Sequence, residues 1–254
     1  MVENATNLFG RDDDDDDIQS KELIQRMAEP CPLVAQDLDR MGILHPGTRD
    51  SATYNAFREL RTELFSRHVN ENFVTLVTSV TGGGGGTHVA INLACSIALD
   101  PAKTALVVDC NFANPSIHEV FGLDQDPGMT DFLADPDDIS MDEIIQPTGV
   151  PRLRAIAAGG HTQRNSEYFA TMNMRLLVHM LQQRYSDRYV VIDGPSAKNT
   201  ADARMLSGLC DNVLVVVPHG RVTASKVQDA CQLYHPEKLA GVVLNSRPQL
   251  PING

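Results

Sequence analysis

The 254-residue chain contains no tryptophan, and only 5% of its residues are aromatic, so its core must be packed chiefly by aliphatic side chains. No run of about 18 apolar residues is present, which gives no expectation of a membrane-spanning helix. The first twenty residues show no basic stretch followed by an apolar one, the pattern of a secretory signal. Positive charge is also short. A net charge of −12 and an isoelectric point near 5.0 argue against a nucleic-acid-binding surface. The five cysteines, Cys31, Cys95, Cys110, Cys210 and Cys231, lack the paired spacing of a metal site. Four of them lie in or beside apolar segments and read as small buried residues, as expected in a reducing cytoplasm.

Half of the net charge comes from one run, Asp12–Asp17. Residues 1–47 show no sustained apolar pattern, so they are expected to form a flexible acidic tail, with a short helix at Lys21–Ala28 at most. Residues 48–254 are expected to form one domain. Tyr54, Phe57, Leu60 and Leu64 recur at helical spacing, which predicts a helix over Ser51–His68. Six apolar strands follow, at Phe73–Ser79, Thr104–Asp109, Leu153–Ala157, Tyr189–Asp193, Asn212–Pro218 and Gly241–Leu244. Helices are expected at Thr87–Ala98, Ala170–Tyr185, Ala201–Leu209 and Val222–Tyr234. Short apolar strands alternating with helices imply an α/β, doubly wound fold with a mainly parallel sheet covered on both faces.

Ligands in such sheets bind beyond the carboxyl ends of the strands. There the strand Phe73–Ser79 runs into Thr81-Gly82-Gly83-Gly84-Gly85-Gly86-Thr87-His88 and then a helix, the order of a phosphate-binding P-loop. Glycines let backbone N–H groups close on phosphate oxygens, and the helix N-terminus adds its dipole. The candidate phosphate contacts are Gly83, Gly84, Gly85, Gly86, Thr87 and His88. A working P-loop ends Gly-Lys-Ser/Thr, whereas Gly86 occupies the lysine position here. Thr87 keeps the hydroxyl that would hold magnesium. Asp109 and Asp193 each end an apolar strand and would join Thr87 around Mg2+. Loss of the lysine predicts ATP or ADP binding weakened by one or two orders of magnitude, about 1.5–3 kcal/mol. The expected loss of phosphoryl-transfer chemistry is larger.

Further motifs make the pattern specific. Thr78-Ser79-Val80-Thr81, Asn92-Leu93-Ala94, Val107-Val108-Asp109 and Asn114-Pro115-Ser116-Ile117-His118 resemble the bacterial tyrosine kinase family, the cytoplasmic partners of membrane polysaccharide co-polymerases. So do Gly128–Leu133, Leu153–Gly160 with Asn165, Tyr189–Pro195, Ala201-Asp202-Ala203 and Phe57–Arg61. The resemblance covers residues 35–245 and implies a P-loop NTPase fold. It also implies a homo-oligomerisation helix bearing Arg58 and Arg61, and an adenine contact at Asn245. The departures cluster where that family does chemistry. Gly86 stands for the lysine, Asn111 for a second aspartate, and Ala113 and Asn114 for two arginines. Asn55 stands for the glutamate of the E-x-x-R-x-x-R motif. Arg247–Gly254 contains no tyrosine.

These losses point to a pseudokinase-like regulatory protein of exopolysaccharide biosynthesis. It would sit at the cytoplasmic side of the inner membrane and bind a co-polymerase. A working ATP-dependent autokinase that borrows Lys198 or a neighbouring subunit's group is the alternative. A partitioning-type ATPase ranks behind both, because the loop lacks that group's additional lysine.

Overall fold

The computed structural model describes residues 35–48, 52–69, 71–160, 165–183, 187–198 and 200–245. The aspartate run, the helix expected at Lys21–Ala28 and the tyrosine-free tail lie outside these residues. Two helices, α1 (Ala35–Met41) and α2 (Ala52–Arg67), precede strand β1 (Val74–Ser79) and helix α3 (Gly86–Ala98). Then come β2 (Thr104–Asp109) and three short helices, α4 (Ile117–Phe121), α5 (Met129–Ala134) and α6 (Met141–Ile144). A short antiparallel strand, β3 (Gln146–Pro147), leads into β4 (Leu153–Ile156). After a 3-10 turn at Asn165–Ala170 the chain continues through α7 (Met172–Gln183), β5 (Arg188–Asp193), α8 (Thr200–Gly208), β6 (Asn212–Pro218), α9 (Ala224–Cys231) and β7 (Leu239–Asn245).

The sheet order is β3-β4-β2-β5-β1-β6-β7, and every pairing except β3–β4 is parallel. The doubly wound sheet expected from the sequence is therefore present. Each central strand is buried along its whole length, and alternate residues feed two cores. On one face Val77, Val107 and Val191 meet α1 to α4. On the other, Leu76, Val108 and Ile192 meet α5 to α9. The strand Asn212–Pro218 has the bounds the sequence gives, and most other elements shift by one or two residues. Helix α9 is the shortest against expectation. Thr223 caps it by accepting from Lys226 N, so Val222 stays outside. The helices α4 to α6 run four to six residues, too short to leave a periodic signal.

The boundary at residue 47 is corrected. Leu38, Ile43 and Leu44 are each at most 4% exposed and belong to the core with α3. Asn92, wholly buried on α3, accepts a hydrogen bond from Leu44 N (2.8 Å) and donates to Gly42 O (3.1 Å). A single buried amide thus binds a segment whose few apolar residues have no period of their own. The globular unit includes residues from Ala35.

Candidate functional site

The loop after β1 is shaped by its glycines. Gly83 and Gly85 have left-handed backbones, with φ of 67° and 85°. A Cβ on Gly85 would collide with Asn245 Nδ2, and one on Gly84 would lie 2.9 Å from both Ser79 Cβ and Thr81 O. A side chain at 84 would move the loop, and one at 85 would displace the Asn245 amide and strain the left-handed backbone. Gly86 differs: its nearest neighbour would be Ser79 Cβ at 3.6 Å, an ordinary contact. The loop therefore depends on glycine at 84 and 85, while its shape does not require glycine at 86. Ser79 Oγ donates to Thr81 O (2.7 Å) and Gly84 N to Thr81 O (3.1 Å), which hold the turn together. A glycine loop closed this tightly at Gly84 and Gly85, leading into a helix N-terminus, fits a phosphate group.

The two strand-end carboxylates meet as expected, Asp109 and Asp193 being register partners on β2 and β5. Thr87 Oγ1 donates to Asp193 Oδ2 at 2.6 Å. Asp109 is used differently. Its oxygens accept the backbone N–H groups of Asn111 (3.1 Å), Ser116 (2.9 Å) and Ile117 (3.0 Å), tying the β2 loop to the start of α4. Burial raises both carboxyls above the ordinary range, and the Asp109 charge pushes Asp193 well above it. Three N–H donors hold Asp109 in its charged form, so the proton of the pair belongs on Asp193. Thr87 and Asp193 line the cavity beyond the loop, whereas Asp109 does not. Among the described residues no three His, Cys, Asp or Glu side chains converge as a metal cage. The fit to magnesium thus rests on the Thr87 hydroxyl and the Asp193 carboxylate.

The cavity has a volume of about 1030 Å3 and runs from Gly82–Thr87 to the β2–α4 loop. Its wall includes Asn111, Asn114, His118 and Gln125, with Met41 and Ile43 closing one side. Among the described residues no lysine or arginine lines it. His88 belongs to the wall, but its Nε2 accepts from Asn92 Nδ2 (3.2 Å) beside Gly42, and burial lowers its pKa. It is a neutral strut between α3 and the α1 segment. Asn245 bends over the loop instead, and its Nδ2 donates to Gly84 O at 3.4 Å. Arg61 donates to Ser96 O (2.6 Å) within the chain, whereas Arg58 is exposed on α2. Lys198 is exposed and off the cavity wall. Cys95, Cys110 and Cys210 are buried free thiols, and burial raises the pKa of each.

Sequence reasoning did not single out Met41, Ile43, Ser79, His118 or Gln125 as wall residues. Met41 and Ile43 had no local signal, because their position depends on the Asn92 clasp. His118 was visible within the Asn114–His118 motif, four residues from Asn114 in the same wall.

No protein-family model matches the chain. Individual proteins do. EpsB of Ralstonia nicotianae is 31% identical over 200 residues, covering 78% of this chain and 26% of EpsB. Tyrosine-protein kinase Wzc of Salmonella typhi is 27% identical over 207 residues (80% of this chain, 28% of Wzc). Tyrosine-protein kinase YwqD of Bacillus subtilis is 25% identical over 195 residues (75% of this chain, 80% of YwqD).

This chain is homologous to bacterial tyrosine kinases.

It spans about a quarter of the length of EpsB and Wzc, and its aligned part covers four-fifths of YwqD. Among solved structures, the VpsO kinase domain superposes with a TM-score of 0.66 at 26% identity, over 77% of this chain and 96% of that domain. The kinase domain of Escherichia coli ETK gives 0.72 at 24%, over 92% and 96%. The cell-division ATPase MinD of Pyrococcus furiosus gives 0.55 at 20%, a likeness of fold alone. The tyrosine-kinase homologue described here thus carries the P-loop fold of both groups. Among its described residues no helix is long and apolar enough to cross a membrane.

Proposed function

We propose that this domain binds a nucleotide but transfers phosphate poorly, and that it regulates exopolysaccharide production through a membrane co-polymerase partner. The observation that carries this reading is a phosphate cradle whose described wall has no lysine or arginine. Gly83–Thr87 would hold the phosphates, and Thr87 and Asp193 would hold magnesium. A bound Mg2+–nucleotide supplies the phosphoryl group in kinases of this fold. The chain's own contribution here is to bind and orient. Removing one preorganised charge from such a site commonly costs about a hundredfold or more in rate.

The partner, the association with the inner membrane and the assembly are part of the same proposal, supported by the homology to Wzc and YwqD. Arg58 is exposed on α2 and would be the residue that meets a second copy. The intrachain bond of Arg61 makes it a support of α2 first.

Magnesium-dependent ATP hydrolysis and self-phosphorylation on tyrosine test the catalytic part. Both are expected at background rates, and Gly86→Lys is expected to raise hydrolysis. Turnover by the unmodified protein that disappears in Asp193→Ala would establish the working kinase instead. That enzyme would need a cation from outside the cavity wall.

A further inference from the structure

We infer that the loop cavity is a nucleoside-diphosphate site, one that holds ADP at least as tightly as ATP. This rests on the phosphate-loop reading proposed above. In a loop of this kind the backbone N–H groups enclose the inner phosphates, and the lysine reaches the outer pair. The two halves of that arrangement have separated here. The inner half is complete: Gly83 and Gly85 take left-handed backbones, Gly84 packs against Ser79 and Thr81, and the thirteen-residue α3 starts at Gly86. The outer half is missing. Among the described residues no lysine or arginine lines the cavity, so a third phosphate brings added negative charge and gains no side-chain cation from them.

Among the described residues no cation is placed to take over. Lys103 Nζ stands 5.2 Å from the Tyr189 ring centre, before β2 and so at the opposite edge of the sheet. Lys198 is exposed and outside the wall, and Arg61 is bound to Ser96 O. The anions, by contrast, are close. Asp193 lines the cavity with Asp109 beside it in register. Each further phosphate charge is repelled by the charged member of this pair unless a cation accompanies it. The wall also contains an unmatched polar atom of the kind a bound molecule satisfies. His118 Nδ1 is buried and has no hydrogen-bond partner among the described residues.

Calorimetric titration of ADP and ATP, each with magnesium, into the unmodified protein and Gly86→Lys tests the inference. A lysine at 86 meets nothing closer than 3.6 Å at its Cβ, so the variant is compatible with the fold. The unmodified protein is expected to bind ADP as tightly as ATP or more tightly. Gly86→Lys is expected to tighten ATP at least tenfold and ADP by clearly less, reversing the order. Unmodified protein that prefers ATP threefold or more overturns the inference. So does binding that appears only in the lysine variant, although that result leaves the phosphate-loop reading intact. If both proteins are folded by circular dichroism and neither binds either nucleotide, the phosphate-loop reading fails as well. Should Gly86→Lys not fold, competition by pyrophosphate and tripolyphosphate on the unmodified protein decides. Pyrophosphate is expected to displace ADP at least as well as the longer anion, and the opposite ranking overturns the inference.

Discussion

The two edges of the sheet treat charge in opposite ways. At the carboxyl edge, Asp109 and Asp193 are buried side by side, and among the described residues the cavity wall has no lysine or arginine. At the amino edge, cations are engaged in holding the fold. Arg152 donates to Ala98 O (2.9 Å), and Lys238 to Ser207 O (3.2 Å) and Gly208 O (3.0 Å), each at the C-terminal end of a helix. A cation there meets unsatisfied carbonyls and the negative end of the helix dipole. Arg67 joins Asn212 and Glu237 O, and Lys103 lies over the Phe65 and Tyr189 rings. These positive groups are therefore committed to helix ends and aromatic faces. A site that has lost its lysine cannot draw on them.

The comparison makes one edge a source of stability and the other a source of binding, and three substitutions can break that division. The largest effect is expected from Phe73→Ala. Phe73 is 1% exposed and packs against Phe65, His68 and Tyr189, with ring centres 4.8–5.8 Å apart. Its loss should lower unfolding stability by about 3–5 kcal/mol in urea titration. Nucleotide affinity of the folded fraction should stay unchanged, and a parallel loss of affinity would erase the distinction between the edges.

Asp193→Asn should act in the opposite direction. Both carboxyls have raised folded-state pKa values, so the folded protein binds protons that the unfolded chain releases. The stability this linkage contributes is present below the ordinary carboxylate range and lost as pH rises through the raised values. The amide matches the protonated carboxyl without the cost of holding a proton there, and it can still accept from Thr87. Thermal melts should rise by about 2–4 °C at neutral pH, the shift that roughly 1 kcal/mol produces in a domain of this size. The decline of stability between acid and neutral pH should flatten. An unchanged pH profile would place the proton elsewhere.

The smallest effect is expected from Lys103→Met, which keeps the apolar stem and removes the charge over two rings. A loss of about 0.5–1 kcal/mol with unaltered ADP affinity is expected by denaturation and calorimetry. Weakened ADP binding would bring Lys103 back into the site despite its position.

The glycine loop, the six main strands and the two strand-end aspartates were legible in the sequence, because each depends on local pattern: an apolar run, a turn residue, a helix start. That Asp109 serves as a backbone anchor while Asp193 faces the cavity was not legible. Both are aspartates ending similar strands, and only the loop from Asn111 to Ile117, folding back onto Asp109, separates their roles. The extent of the domain was likewise hidden. Leu38, Ile43 and Leu44 are too few to show a period, and they enter the core because Asn92 clasps the chain there.

Sequence alone determined the doubly wound architecture and the absence of a lysine at position 86, since these follow from residue type and order. Only the tertiary structure decided what that absence means. A missing lysine could have been replaced from any of the chain's 21 lysines and arginines. Folding carried Lys103, Arg152 and Lys238 to the far edge of the sheet, tied Arg61 to α3, and set Asp193 in the cleft with Asp109 behind it. The physical reason is that helix C-termini and aromatic faces hold these cations where the fold places them, and that placement is set by the whole fold rather than by any one segment.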